Sequence, residues 1–125
     1  VFGYTIGNDV SERTWQAEDR TLWRAKNSDS FKPMGPWIET DVNLDEMMTT
    51  IAVNGTVHTK FATSNMIFGI RDYIVEITKY MTIQPGDVMW MGTDGVPSNI
   101  KHGDQVDITI SGIGTLSNTV VQLSA

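Results

Sequence analysis

The apolar and polar positions divide the chain into short extended pieces and one helical stretch. Residues 1–8 are β-branched and aromatic and predict a buried strand. Residues 11–25 are polar and Trp-bearing, with Ser11 and Glu12 at a possible helix start. Residues 26–38 hold Pro33, Gly35 and Pro36 and predict an ordered loop running into Trp37 and Ile38. From Met47 to Phe61, two alternating runs flank Asn54-Gly55, a pair suited to the positive φ angles of a type I′ hairpin turn. Pairing Val53 with Thr56 puts Met48, Ala52, Val57 and Phe61 on one face. Thr49, Ile51, Val53, His58 and Lys60 then fall on the other.

Ser64 to Met81 carries the helical signal. Ile70, Tyr73, Ile74, Ile77, Tyr80 and Met81 share one face, while Arg71, Asp72, Glu76 and Lys79 lie outside it. Pro85-Gly86-Asp87 predicts a turn, and Val88 to Met91 a short apolar strand. Val106, Ile108 and Ile110 alternate with Asp107, Thr109 and Ser111 as a half-buried strand does. Gly112-Ile113-Gly114 then reverses the chain into a last strand ending near Gln122. The fold class is mainly β with one long helix, an α+β arrangement in a single domain, residues 1–125.

Composition narrows the class. A chain of 125 residues with 40% hydrophobic content can bury one globular core. The net charge of −6, with nine scattered Lys and Arg, speaks against a nucleic-acid partner. No apolar stretch is long enough to span a bilayer as a helix, and no signal-peptide pattern opens the chain. Without cysteine there are no disulfides and no thiolate metal sites, so a cytoplasmic location is expected. The opening Val1-Phe2-Gly3 has neither Met nor polar lead. It reads as a trimmed whole domain or as a strand of a longer protein, and the second is the expectation.

Several residues have types suited to chemistry. Asp9 follows the first strand, where rigid scaffold meets an open cleft. It reads as an oxygen ligand for a hard cation or as a helix N-cap. Arg13 is placed to grip a substrate carboxylate or to pair with Asp9, and Gln16 to bond the same substrate or face solvent. Lys26 suits the polarisation of a carbonyl or an ordinary surface position. In Met91-Gly92-Thr93-Asp94-Gly95-Val96, backbone N–H groups and the Thr93 hydroxyl could cradle an anion, or form only a turn. His58 and His102 lack partners at ligand spacing, and Met66, Met81 and Met91 read as core fillers.

Taken together these pieces resemble the conserved core of the fumarylacetoacetate hydrolase family. Gly3-Tyr4-Thr5, Asn8-Asp9-Val10-Ser11, Arg13 and Gln16 match its start. Arg24-Ala25-Lys26-Asn27-Ser28-Asp29-Ser30-Phe31 resembles its Lys-Ser-Phe-Asp-Thr-Phe segment. Val53-Asn54-Gly55, Met66-Ile67-Phe68, Gln84-Pro85-Gly86-Asp87-Val88 and Gly92-Thr93 follow in order, then Gly103-Asp104 and Gly112-Ile113-Gly114 with Leu116 and Asn118.

The resemblance implies a mixed β-sandwich roll, usually dimeric, and an enzyme acting on a small keto- or enol-acid. It implies a metal ligand at Asp9 and substrate contacts at Arg13, Gln16, Ser30 and Thr93. Lys26 would lie beside a Mg²⁺ or Mn²⁺ ion, sometimes seen as Ca²⁺. That ion would stabilise an enolate shared by isomerisation, C–C hydrolysis and decarboxylation. The Arg-Ala-Lys and Gly-Pro-Trp surroundings lean towards the 2-hydroxyhepta-2,4-diene-1,7-dioate and 5-carboxymethyl-2-hydroxymuconate isomerase branch.

Two departures stand out. The family's Glu-x-Glu metal pair occurs nowhere in this sequence, and Asp94 replaces the usual Pro. The rival expectation is a non-catalytic β domain that binds a small acid or a protein, with an exposed, unpaired Asp9 and no cleft near Lys26.

Overall fold

Asn54 and Gly55 adopt φ angles of 51° and 77°, the left-handed values that a tight hairpin turn demands. They join β3 (Met48–Val53) to β4 (Thr56–Ala62). The structure, a computed structural model, describes residues 1–95 and 98–122. Its other strands are β1 (Tyr4–Gly7), β2 (Met34–Glu39), β5 (Gln105–Ile110) and β6 (Gly114–Thr119). Three short helices, α1 (Arg13–Gln16), α2 (Trp23–Asn27) and α3 (Ile70–Ile77), and a 3₁₀ turn at Leu44–Glu46 complete the described elements.

A four-stranded sheet runs in the order β4-β3-β5-β6, and β1 and β2 form a separate ribbon. Every described pairing is antiparallel. The ribbon packs on β5 and β6, which gives two layers. Between them lie Ile6, Met47, Val106, Ile108, Ile113 and Leu116, with Ile51, Val53 and Ile110 at the margin. Ile6 is fully buried. Asn54 also ties the sheet together. Its Nδ2 donates to Asp104 at 2.9 Å, and its Oδ1 accepts from the Gln105 N–H at 2.9 Å. The hairpin turn is thus clasped to the start of β5.

The long helix is corrected to eight residues. Gly69 lies before it in extended backbone, with its N–H bonded to Asp72 Oδ2 at 3.1 Å. At the other end the Thr78 hydroxyl bonds back to the Ile74 carbonyl at 2.7 Å, and residues 78–80 form turns. None of its residues is buried. Met81 is exposed and is not a core filler; Met47 holds that place in the core.

Three further expectations change. Val88 to Met91 is not a strand. The segment read as a loop contains a strand, β2, because Gly35-Pro36 sits within an irregular ribbon paired to β1 and tolerates the break in regular pairing. The hairpin carries a bulge at His58, so Ile51 faces Thr59 and Phe61 faces Thr49 rather than sharing the Met48 face. Val96 lies outside the described residues.

Candidate active site

The site begins where β1 ends. The Asn8 N–H donates to the Pro33 carbonyl at 3.0 Å, which closes residues 8–33 into one excursion between β1 and β2. Within it, Glu12 caps α1 by accepting the Thr14 N–H at 2.7 Å. Asp9 is therefore not the cap. Asp19 accepts from Thr21 Oγ1 at 3.0 Å and from the Ala25 N–H at 2.9 Å, holding the start of α2. Ala25 is fully buried, and its carbonyl accepts the Glu12 N–H at 3.0 Å. These bonds pack α1 on α2 and turn Lys26, the next residue, towards Asp9.

Two ammonium groups converge on Asp9. Lys26 Nζ donates to Asp9 Oδ2, and Lys32 Nζ donates to Oδ1. Lys26 Nζ also reaches Ser11 Oγ at 3.0 Å, and Ser11 Oγ lies 3.1 Å from the Asp9 carbonyl. Partial burial alone raises the Asp9 carboxyl's pKa. Hydrogen bonds and charge from Lys26 and Lys32 outweigh it and leave the group below its ordinary range. The pairs are partly exposed, so each contributes at most about 1 kcal/mol to stability and serves chiefly to set position.

Lys32 has a second neighbour. Its ammonium stands 4.5 Å from the centre of the Trp90 ring. Trp90 lies against Gly7, and a Cβ at Gly7 would meet the ring at 2.5 Å. Only glycine at the end of β1 admits the indole so close. The same lysine lines a cavity of about 420 Å³ with Ser28, Ser30 and Phe31, floored by Val106 and Asn118 of the sheet. Ser30 holds a left-handed φ of 67°, which costs a non-glycine residue conformational energy and sits at the cavity wall.

The remaining candidates group separately. Arg13 donates to Gln16 Oε1 at 2.5 Å and makes no ion pair with Asp9. Trp15 stacks on Phe31 with centroids 6.4 Å apart and carries Arg24 on its ring. The exposed Thr93 donates to the Asp94 carbonyl at 3.2 Å. Asp94 is no idle replacement for proline: it accepts from Asn65 Nδ2 at 3.1 Å and from the Gly95 N–H at 2.6 Å, pinning its loop to the end of β4. The structure thus joins Asp9 with Lys26, pairs Arg13 with Gln16, puts Ser30 on the cavity, and records no contact between Thr93 and Asp9. Sequence reading missed Lys32 and Trp90. The one available signal was Lys32-Pro33, since the residue before proline is biased to extended backbone.

The donor set tests the implied cation. Among the described residues no three His, Asp or Glu side chains gather, and both Asp9 oxygens are taken by ammonium groups. Alone, these residues do not fit a hard divalent ion, which asks for several oxygen ligands.

The fold and site define an antiparallel β domain whose acid–lysine cluster borders a cavity. Residues 1–121 match the family model described as fumarylacetoacetate (FAA) hydrolase C-terminal. The chain belongs to the fumarylacetoacetate hydrolase family. It is similar to the 2-hydroxyhepta-2,4-diene-1,7-dioate isomerase of Mycobacterium marinum, with TM-score 0.91 and 47% identity over 96% of this chain and 48% of that one. It is similar to the 5-carboxymethyl-2-hydroxymuconate delta-isomerase of Mycobacterium smegmatis, with TM-score 0.95 and 43% identity over 99% and 49%. It also resembles the maleylpyruvate hydrolase of Sphingobium sp. SYK-6, solved with manganese(II) and pyruvate, with TM-score 0.85 and 30% identity over 98% and 45%. The chain spans about half the length of the curated relatives it matches.

Proposed function

We propose that this chain forms part of an enzyme acting on a small keto- or enol-acid, in the isomerase branch of the family and in aromatic-compound catabolism. The observation that carries this reading is the convergence of Lys26 on Asp9 across 17 positions of sequence, beside a cavity of small-molecule size. The two ion pairs on Asp9 speak against a non-catalytic domain with a free carboxylate there.

Each residue has a task. Lys26, oriented by Asp9 and Ser11, holds an ammonium where negative charge develops on an enolate oxygen, as an α C–H bond yields its proton to a base outside the residues assigned here or an α C–C bond yields its acyl fragment to water. Arg13 and Gln16 bind the substrate's acid and keto oxygens once their mutual bond opens. Ser30 and Thr93 contribute hydroxyls to substrate binding. Asp9 would supply one oxygen ligand to Mg²⁺ or Mn²⁺, and the ion fits only with carboxylates that these residues do not provide. When bound, it would add Lewis acidity. The working assembly is a homodimer.

The test is Lys26→Ala in the natural gene product. We expect kcat to fall about 10²–10³-fold with a much smaller change in KM, as for loss of an oxyanion donor. A raised KM with kcat unchanged would reduce Lys26 to a binding residue.

A further inference from the structure

One carboxylate neutralises one ammonium, yet Asp9 holds two. The cluster therefore carries an uncompensated positive charge. The two lysines are not equivalent. Lys26 is the less exposed, at 21% against 30% for Lys32, and is also bonded to Ser11. Among the described residues Lys32 has no second oxygen partner; its other neighbour is the face of Trp90. A half-exposed ion pair on an already neutralised carboxylate is weakly held. The indole face retains the ammonium whichever carboxylate it serves.

The lining of the cavity points the same way. Lys32 is the one charged side chain among the described residues that line it. Around it stand the hydroxyls of Ser28 and Ser30 and the amides of Asn8 and Asn27. Asn118, whose buried Oδ1 has no hydrogen-bond partner among the described residues, lines the same space, and that acceptor suits the hydroxyl of an enol rather than the anion itself. A neutral, donor-rich pocket with a single cation selects an anion. The backbone of Lys32 is fixed for this task, because Pro33 follows it and the Asn8 N–H holds the Pro33 carbonyl.

We propose that Lys32 is a specificity residue: it leaves Asp9 to bind a second carboxylate, so that the site favours 2-oxo or enol dicarboxylic acids over monocarboxylic ones. This rests on the keto-acid function proposed above and deepens it. Phe31, Ile100 and Val106 line the apolar side of the cavity, where the carbon chain between the two acid groups lies.

The experiment compares two probes that differ by one carboxylate, oxaloacetate and pyruvate, binding to the natural gene product with Mg²⁺ present. In Lys32→Met we expect oxaloacetate to bind at least about tenfold more weakly, the worth of one charged hydrogen bond, and pyruvate unchanged. Lys32→Arg should keep most of the preference. Equal weakening of both acids, or of neither, overturns the proposal. A second measurement needs no lysine variant. Oxaloacetate should change the emission of Trp90 in the unaltered protein, pyruvate should not, and Trp90→Phe should remove the signal. An identical response to both acids overturns the proposal as well. Unaltered protein that binds neither acid removes the keto-acid function along with it. Protein that binds both, with Lys32→Met discriminating just as well, removes this inference alone.

Discussion

Trp90 rests on Gly7 with no room for a single extra carbon, since a Cβ there would stand 2.5 Å from the ring. The indole is thereby fixed beneath Lys32 at the exit of β1. Gly7→Ala should push the ring away and destabilise the domain by about 1–3 kcal/mol, as overpacking does. Thermal unfolding reads the loss, and Trp90 emission reads the displacement. An unchanged melting temperature would mean that the ring moves freely.

Ile6, fully buried on the same strand, anchors the ribbon to the sheet. Ile6→Ala should cost about 2–5 kcal/mol by denaturant titration. A loss below half a kilocalorie per mole would show that the ribbon is held by other contacts.

Asp104 should set part of the acid limit of stability. The Asn54 amide, then the Lys101 N–H, holds its carboxyl below the ordinary value of 3.8. A carboxyl depressed in the folded state stabilises the fold above its ordinary pKa. That contribution disappears as pH falls through the lowered folded value. Asp104→Asn should therefore be less stable than the parent at neutral pH, with the difference shrinking below about pH 4. Parallel pH profiles for the two proteins would refute the clasp.

Cation binding provides another check. The 125-residue chain on its own should bind Mg²⁺ weakly by calorimetry, because Asp9 is the one ligand proposed within it and two ammonium groups occupy that carboxylate. Adding a Glu-x-Glu segment should raise affinity by orders of magnitude, at about 1.4 kcal/mol per tenfold. In the natural gene product, Asp9→Ala should abolish metal-dependent turnover of the acid. Full retained activity would exclude Asp9 as a ligand.

The parts legible in the sequence are those governed by local chemistry. Asn54-Gly55 announced its turn, because few other pairs accept two left-handed residues, and Val106, Ile108 and Ile110 announced a strand by alternation. The helix was overextended because apolar spacing persists through Tyr80 and Met81, while the Thr78 back-bond and the turns after it obey a shorter rule. β2 was hidden because Gly35-Pro36 reads as a loop, and only its partner β1 makes it a strand. Asp9 and Lys26 were recognised from motif order. Lys32 was not, because its importance arises from Trp90 and Asp9, 58 and 23 positions away, and no spacing rule links them.

The excursion between β1 and β2 has an evolutionary consequence. Asp9, Arg13, Gln16, Lys26, Ser30 and Lys32 all sit on residues 8–33, pinned at its neck by the Asn8–Pro33 bond. The four-stranded sheet contributes a floor and little of the charge. On the function proposed above, drift in substrate preference proceeds as edits to one cassette, while selection for a stable sheet acts on another stretch of the gene. Such a division lets a lineage change its diet without renegotiating its scaffold.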